Sequence, residues 1–296
     1  MKILITGSNG QLGNELASVI EKGYSEIGEI PETLRGAQVI AVDVDRLDIT
    51  DISAVRKFIA DEKPDVVVNC AAMTNVNGCE TALETAMKVN AVGPRNLAVA
   101  CNESGAKLVH ISTDYVFSGD AKKPYCEWDK TDPCGVYGKS KALGEKYVTD
   151  NTTRYFILRV AWLYGYQGKN FVKTIINAAR ANGTVKVVND QFGNPTSAND
   201  VAHHILKLIT TEEYGIYHCT CNGVCSWYDF ADRIIKRSGV KAEVLPCTTE
   251  EYPTPAKRPE YSALDNLMLR CTVGDEMRDW QTAIDMFVDN LMKSGF

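Results

Sequence analysis

The sequence predicts an α/β protein: a doubly wound parallel sheet with a smaller α+β lobe interleaved into it. Three observations carry this reading. Short apolar runs alternate with amphipathic helical stretches as far as about residue 165. The first apolar run ends abruptly in a glycine-rich turn at residue 7. Beyond 165 the alternation breaks into shorter elements separated by glycine and proline.

The elements follow in order. Residues 2–6, 38–43, 65–70, 107–112 and 155–161 are apolar runs of strand length, as strands covered on both faces require. Between them, 11–22, 51–62, 83–104 and 136–150 repeat apolar residues at helical spacing; Leu12, Leu16, Val19 and Ile20 form one such stripe. Connections 23–37 and 118–135 are long. The second carries Pro124, Pro133 and Gly135 and reads as a surface loop beside a site. After 165 come a helix (170–182), a strand (184–188), a Gly193-Asn-Pro195 turn, a helix (198–211) and a strand (215–220). A helix (226–238), a strand near 242–246, the proline-rich 253–259 and a last helix (279–293) complete the chain. The expected division is 1–165 plus about 196–221 as the dinucleotide-binding part, and about 166–195 plus 222–296 as a second lobe.

Composition narrows the class. A hydrophobic content of 45% with 24% charged residues is ordinary for a globular protein, and a net charge of −6 leaves no basic footprint for nucleic acid. No run has the length of a membrane span, and the N-terminus enters a strand with no targeting pattern, so a cytoplasmic location is expected. The ten cysteines stand singly, with no Cys-x-x-Cys, and read as reduced thiols. Cys219, Cys221 and Cys225 lack a fourth partner if 216–221 is a strand that turns His218 to the other face, so no metal is expected.

The chemistry starts at Gly7-Ser-Asn-Gly10-Gln-Leu-Gly13. Glycines between a strand and a helix permit a tight turn, close approach of backbone to a pyrophosphate, and close helix–strand packing. The helix N-terminus then offers free N–H groups to that anion. This makes the sheet Rossmann-type. Ser112-Thr-Asp-Tyr-Val-Phe117 ends a later strand, where parallel sheets bind ligands. Tyr137-Gly-Lys-Ser-Lys141 places a phenol and an ammonium four apart, on one helix face. A cation beside tyrosine lowers its pKa and suits it to exchange a proton with a carbonyl oxygen, and Thr113 is expected to supply a second hydrogen bond to that oxygen. Asp43, at a strand end, suits a ribose 2′-hydroxyl, whereas Arg46 suits a 2′-phosphate, so NADPH and NADH both stand as cofactors.

With these motifs, Val68-Asn-Cys-Ala-Ala72, Arg159-Val-Ala-Trp-Leu-Tyr164, Asn189-Asp-Gln-Phe-Gly-Asn-Pro-Thr196 and Tyr252-Pro-Thr-Pro-Ala-Lys-Arg-Pro259, the chain resembles the extended short-chain dehydrogenases/reductases. Within them it is similar to the dTDP-4-dehydrorhamnose reductase family over nearly its whole length. The resemblance implies reduction of the C4 keto group of dTDP-4-dehydro-L-rhamnose, the last step of dTDP-rhamnose biosynthesis, with Thr113, Tyr137 and Lys141 catalytic and Lys141 also on the nicotinamide ribose. It implies cofactor contacts from Gly7, Asn9, Gly10, Gln11, Leu12, Gly13, Asp43, Asp48, Ile49, Ala71, Ala72 and Thr74. Thr74 also borders the sugar pocket, which Val76, Tyr115 and Trp162 would line. Asn170, Gln191 and Arg258 are the further substrate candidates: Arg258, with Lys257, for the diphosphate, Gln191 with Phe192 for thymine, and Asn170 as either a diphosphate contact or a helix cap.

The resemblance also implies a homodimer. Glu15 matches a magnesium-site glutamate of some members, but Asn199 stands where another is expected, so no metal is assigned. Asn77 and Gly78 depart from the acidic residue and lysine of the family. Two rival readings remain. One is another nucleotide-sugar reductase, epimerase or dehydratase, against which Tyr115 replaces the glutamate of the dehydratases. The other is a non-catalytic NAD(P)-binding subunit, like the regulatory subunit of methionine adenosyltransferase; turnover of NAD(P)H with a dTDP-4-keto sugar separates the two classes.

Overall fold

The computed structural model describes residues 1–296. Six strands form one parallel sheet: β1 (Lys2–Thr6), β2 (Gln38–Val42), β3 (Val66–Asn69), β4 (Lys107–Thr113), β5 (Tyr155–Val160) and, skipping the lobe strand β6 (Thr184–Val188), β7 (Gly215–His218). The order is β2-β1-β3-β4-β5-β7. The chain winds outward from β1 to β2 and then in the opposite direction from β3, which opens a crevice beyond the carboxyl ends of β1 and β3. β6 pairs in parallel with β8 (Glu243–Cys247) in the second lobe.

Helices α1 (Gln11–Lys22), α2 (Ile52–Glu62), α3 (Val76–Thr81), α4 (Leu83–Met87), α5 (Gly93–Ser104), α6 (Val136–Asn151), α7 (Phe171–Asn182), α8 (Ala198–Ile209), α9 (Trp227–Ser238), α10 (Leu267–Cys271) and α11 (Trp280–Lys293) cover these strands. Strand alternation sorts the core into two. Ile3, Ile5, Val68, Val109 and Leu158 face α1, α8 and the second lobe; Leu4, Val67, Leu108 and Ile157 face α2, α5 and Val148 of α6. No helix is long and apolar enough to cross a membrane.

The main strands and helices fall within two residues of the bounds the periodicity predicts, with one exception. The expected helix 83–104 is three pieces: α4, a π-helical turn over Lys88–Val92, and α5. Periodicity alone does not register the extra residue of such a turn, and these turns gather at functional sites. Here the turn carries Asn90, whose side chain accepts from Met73 N (2.8 Å) and donates to Met73 O (3.1 Å) and Ser140 Oγ (3.0 Å). The connection 23–37 holds a small hairpin, Tyr24–Ser25 with Gly28–Glu29. The 118–135 loop is tied to the second lobe by bridges Asp120↔Tyr261 and Tyr125↔Leu264, and Phe117 stacks on Tyr125 at 4.2 Å.

Candidate active site

The glycine turn is shaped by contacts that exclude side chains. Gly7 has φ +64°, and a Cβ there would lie 2.5 Å from Ala71 N; a Cβ at Gly13 would lie 2.5 Å from Gly7 O. The loop therefore packs directly on the backbone after β3, and α1 directly on the loop. Gly10, the N-cap of α1, supplies no side-chain cap, so the first N–H groups of that helix stay open. Side-chain capping is otherwise common in the chain: Asp51, Asn75, Asn170, Ser226 and Asp279 all cap their helices.

Two adjoining cavities open along the crevice. One, of about 340 Å³, is lined by Gly7, Gly10, Asp43, Asp48, Ile49, Ala71, Ala72 and their neighbours. The other, of about 500 Å³, is lined by Asn9 to Gly13, Ala72, Thr74, Val76, Thr113, Tyr115, Tyr137, Lys141, Trp162 and Trp227, among others. A larger hollow of about 900 Å³ lies around Met1, Arg56 and Lys107, at the opposite end of the strands. The two crevice cavities join the glycine turn to Thr113, Tyr137 and Lys141. Asp43 accepts from Asn9 N (3.0 Å) and Val44 N (2.8 Å), so its carboxylate braces the glycine turn. Asp48 accepts from Thr50 N and Oγ1.

Helix α6 is held close to the sheet end. A Cβ at Gly138 would lie 2.1 Å from Tyr115 O, and one at Gly144 would lie 2.3 Å from Asn90 O. Glu80 Oε1 accepts from Val136 N at 2.8 Å and so caps the helix. Tyr137 packs edge-on against Tyr115 at 5.5 Å, and Thr113 lies within its hydrogen-bonding reach.

Electrostatically the site differs from the expectation in two respects. Burial pushes the Tyr137 phenol above its ordinary pKa, and nearby Asp114 adds to the rise; Lys141 is not among the largest influences on it. The Lys141 ammonium instead donates to Ile111 O at 2.5 Å, and burial brings its pKa down to about 8. The phenol is protonated at neutral pH, as a tyrosine at its ordinary pKa also is. Thr113 Oγ1 donates to Asp114 Oδ1 at 2.9 Å, so its proton is already engaged and must turn to reach another acceptor. Burial raises the Asp114 carboxyl to about 6.

The substrate candidates separate. Val76, Tyr115 and Trp162 share the larger cavity with the phenol and ammonium. Trp162 has φ +47° and stacks at 3.5 Å on Trp227, a residue that the motifs do not single out and for which no spacing rule gives a signal. Arg258 donates to Tyr115 Oη (3.0 Å) and Asn77 Oδ1 (2.9 Å), which joins the proline-rich segment to the site. Asn170 caps α7 through Lys173 N, and its amide protons go to Gln11 Oε1 and Gly165 O; this is the capping alternative. Gln191 donates to Thr249 Oγ1 and lies outside both cavities. Gln11 Oε1 also accepts from Gly165 N, so its side chain serves the α1–α7 junction. Glu15 accepts from Asn199 at 2.6 Å, and no group of three or more His, Cys, Asp or Glu is arranged to hold a metal.

Comparison with known proteins adds a family. The RmlD substrate binding domain matches residues 1–293. A dTDP-4-dehydrorhamnose reductase of Streptomyces griseus is 40% identical over 95% of this chain and 91% of its own. Among solved structures, a dTDP-4-dehydrorhamnose reductase of Clostridium acetobutylicum has a TM-score of 0.93 and 49% identity, over 99% of this chain and 100% of that one. The dTDP-4-dehydrorhamnose reductase of Bacillus anthracis, solved in complex with NADP, has a TM-score of 0.91 and 40% identity, over 98% and 99%.

Proposed function

The chain belongs to the RmlD substrate binding domain family, and on that premise we propose that it is an NAD(P)H-dependent dTDP-4-dehydrorhamnose reductase. It converts the C4 ketone of dTDP-4-dehydro-L-rhamnose to the alcohol of dTDP-L-rhamnose. The observation that carries this reading is the single cavity shared by the glycine turn, Thr113, Tyr137 and Lys141.

The residues fit a dinucleotide: a cradle at Gly7 and Gly13 that a Cβ would fill, and an uncapped helix N-terminus behind it. Gly7, Asn9, Gly10 and Gly13 hold the pyrophosphate, Asp48, Ile49, Ala71 and Ala72 the adenosine end, and Lys141 the nicotinamide ribose. The bound nicotinamide supplies the hydride for C4. Tyr137 donates its proton to the developing alkoxide, which a buried and protonated phenol is suited to do. Thr113 orients the phenol and, by turning its hydroxyl from Asp114, adds a second hydrogen bond to the same oxygen. Trp162, backed by Trp227, forms the wall of the sugar pocket with Tyr115 and Val76. Arg258, tied to the cavity through Tyr115, takes the substrate diphosphate.

The lobes we assign are 1–165 with about 196–221 for cofactor and about 166–195 with 222–296 for nucleotide sugar. A cytoplasmic homodimer is the form we assign to the working enzyme. The test is oxidation of NADPH or NADH on addition of dTDP-4-dehydro-L-rhamnose, with dTDP-L-rhamnose identified as product. Cofactor binding without turnover would overturn the reading in favour of a regulatory protein.

A further inference from the structure

Behind the site lies a buried charged network that the reaction as described does not use. Arg159, on β5, is 3% exposed and forms a two-pronged pair with Glu145 of α6, Nε to Oε1 at 2.9 Å and Nη2 to Oε2 at 2.7 Å. Ser112 Oγ, one residue before Thr113, donates to the same Glu145 Oε1. Tyr137, Lys141 and Glu145 stand at successive intervals of four on α6, and so follow one another along one face of the helix. A buried ion pair is seldom the most stable way to fill a core, because desolvating both charges offsets most of their attraction. Its placement one turn from the ammonium gives it another use.

We propose that Glu145 is a positioning residue for the reaction: clamped by Arg159 and Ser112, its carboxylate is the counter-charge that keeps the Lys141 ammonium protonated and in place. The inference rests on the reductase reading above. The groups around Lys141 on each packed element support it. On β4, His110 receives the Asn69 amide at 3.1 Å on Nδ1 and is held neutral by burial. After β3, the Cys70 thiol is pushed up to about 12 and stays uncharged at neutral pH. On β7, His218 is held neutral, at about 3, and faces Arg159. Glu127, from the 118–135 loop, accepts on its Oε1 from His218 N and Met268 N, and its carbonyl accepts from Arg159. Asp114 bears on Tyr137 rather than on Lys141. Burial works against the ammonium, and Glu145 is the strongest influence in its favour.

The test is the pH profile of kcat/KM for NADPH for four proteins: wild type, Glu145→Gln, Arg159→Met and the double variant. Deprotonation of Lys141 sets the alkaline limb. Glu145→Gln should move that limb acidward by about one unit or more, a roughly tenfold loss above it, with a much smaller loss near pH 6. Arg159→Met leaves the carboxylate facing Lys141 alone, and its limb should stay or move alkaline. The double variant, which leaves no unpaired buried charge, should be more stable than Glu145→Gln and place its limb between Glu145→Gln and wild type. A purely structural pair would lower stability and turnover in all three variants with one common limb, and that result overturns the inference. An inactive wild type overturns the reductase reading instead; the pH dependence of NADPH affinity, read by fluorescence, then carries the same ordering.

Discussion

Replacing Arg258 by alanine should raise KM for the dTDP-sugar far more than it changes kcat. The guanidinium is half-buried and donates to Tyr115 Oη at 3.0 Å and Asn77 Oδ1 at 2.9 Å, which ties it to a tyrosine that lines the cavity. The diphosphate it would hold does not change charge as C4 is reduced, and binding that is equal in ground and transition states shows in KM alone. A charge-assisted contact of this kind is worth about 1.5–3 kcal/mol, or roughly a 10- to 150-fold rise in KM. Asn77→Ala removes one hydrogen bond that aims the fork and leaves the charge, so a smaller rise, about 2- to 10-fold, is expected. Initial rates of NADPH oxidation across a substrate series measure both, and KM for NADPH should hold because we assign its pyrophosphate to Gly7–Gly13. A collapse of kcat at constant KM would show that Arg258 acts through Tyr115 on the phenol. No change in either constant would refute the diphosphate assignment.

Tyr137→Phe should retain NADPH binding, measured by fluorescence titration, and lose about 10²- to 10⁴-fold in turnover; wild-type kcat would remove the phenol from the mechanism. NADPH and NADH should both support turnover with a preference below about a hundredfold, and Asp43→Ala should tilt the ratio of kcat/KM toward NADPH; a ratio unmoved by the change means that Asp43 serves only to brace Asn9 and Val44. Asp114→Asn should stabilise the fold at neutral pH. Its carboxyl titrates near 6 when folded, above its unfolded value, so between about pH 4 and 6 the folded state holds a proton the unfolded state has lost, and stability falls as pH rises. The penalty, about 3 kcal/mol, is complete above pH 6 and vanishes below pH 4. Thermal midpoints of the two proteins should therefore converge on acidification, and a constant gap would contradict the assignment.

The parts of the molecule that the sequence makes legible are those with a local signal. The glycine turn, the six sheet strands and the Tyr137–Lys141 pair are written in neighbouring residues, and their elements appear where periodicity puts them. What stays hidden depends on contacts between distant segments. Trp227 meets Trp162 across 65 positions, and the Arg258–Asn77 contact spans 181. The raised pKa of the phenol follows from burial, which no motif encodes. Glu145 is an intermediate case. Its interval from Lys141 is visible, but without Arg159 beside it a buried glutamate and an exposed one have the same spacing.

Helix α6 shows why the site and the core cannot be read by one rule. Its buried positions are Gly138, Ser140, Lys141, Gly144, Glu145 and Val148, a face with a single large apolar side chain. α8, by contrast, buries Val201, Ile205, Leu206, Leu208 and Ile209 against the opposite side of the sheet. A helix with so polar an inner face gains little from apolar burial, so it must be held by other means. Two glycines let it approach the backbone of Tyr115 and Asn90, Glu80 caps it, Asn90 grips Ser140, and the Arg159 pair anchors its far end. Each of these contacts also fixes the position of Tyr137 or Lys141 relative to the end of β4. The interactions that replace an apolar stripe in α6 are thus the ones that set the reaction geometry, and substitutions that merely improve its packing should cost turnover before they improve stability.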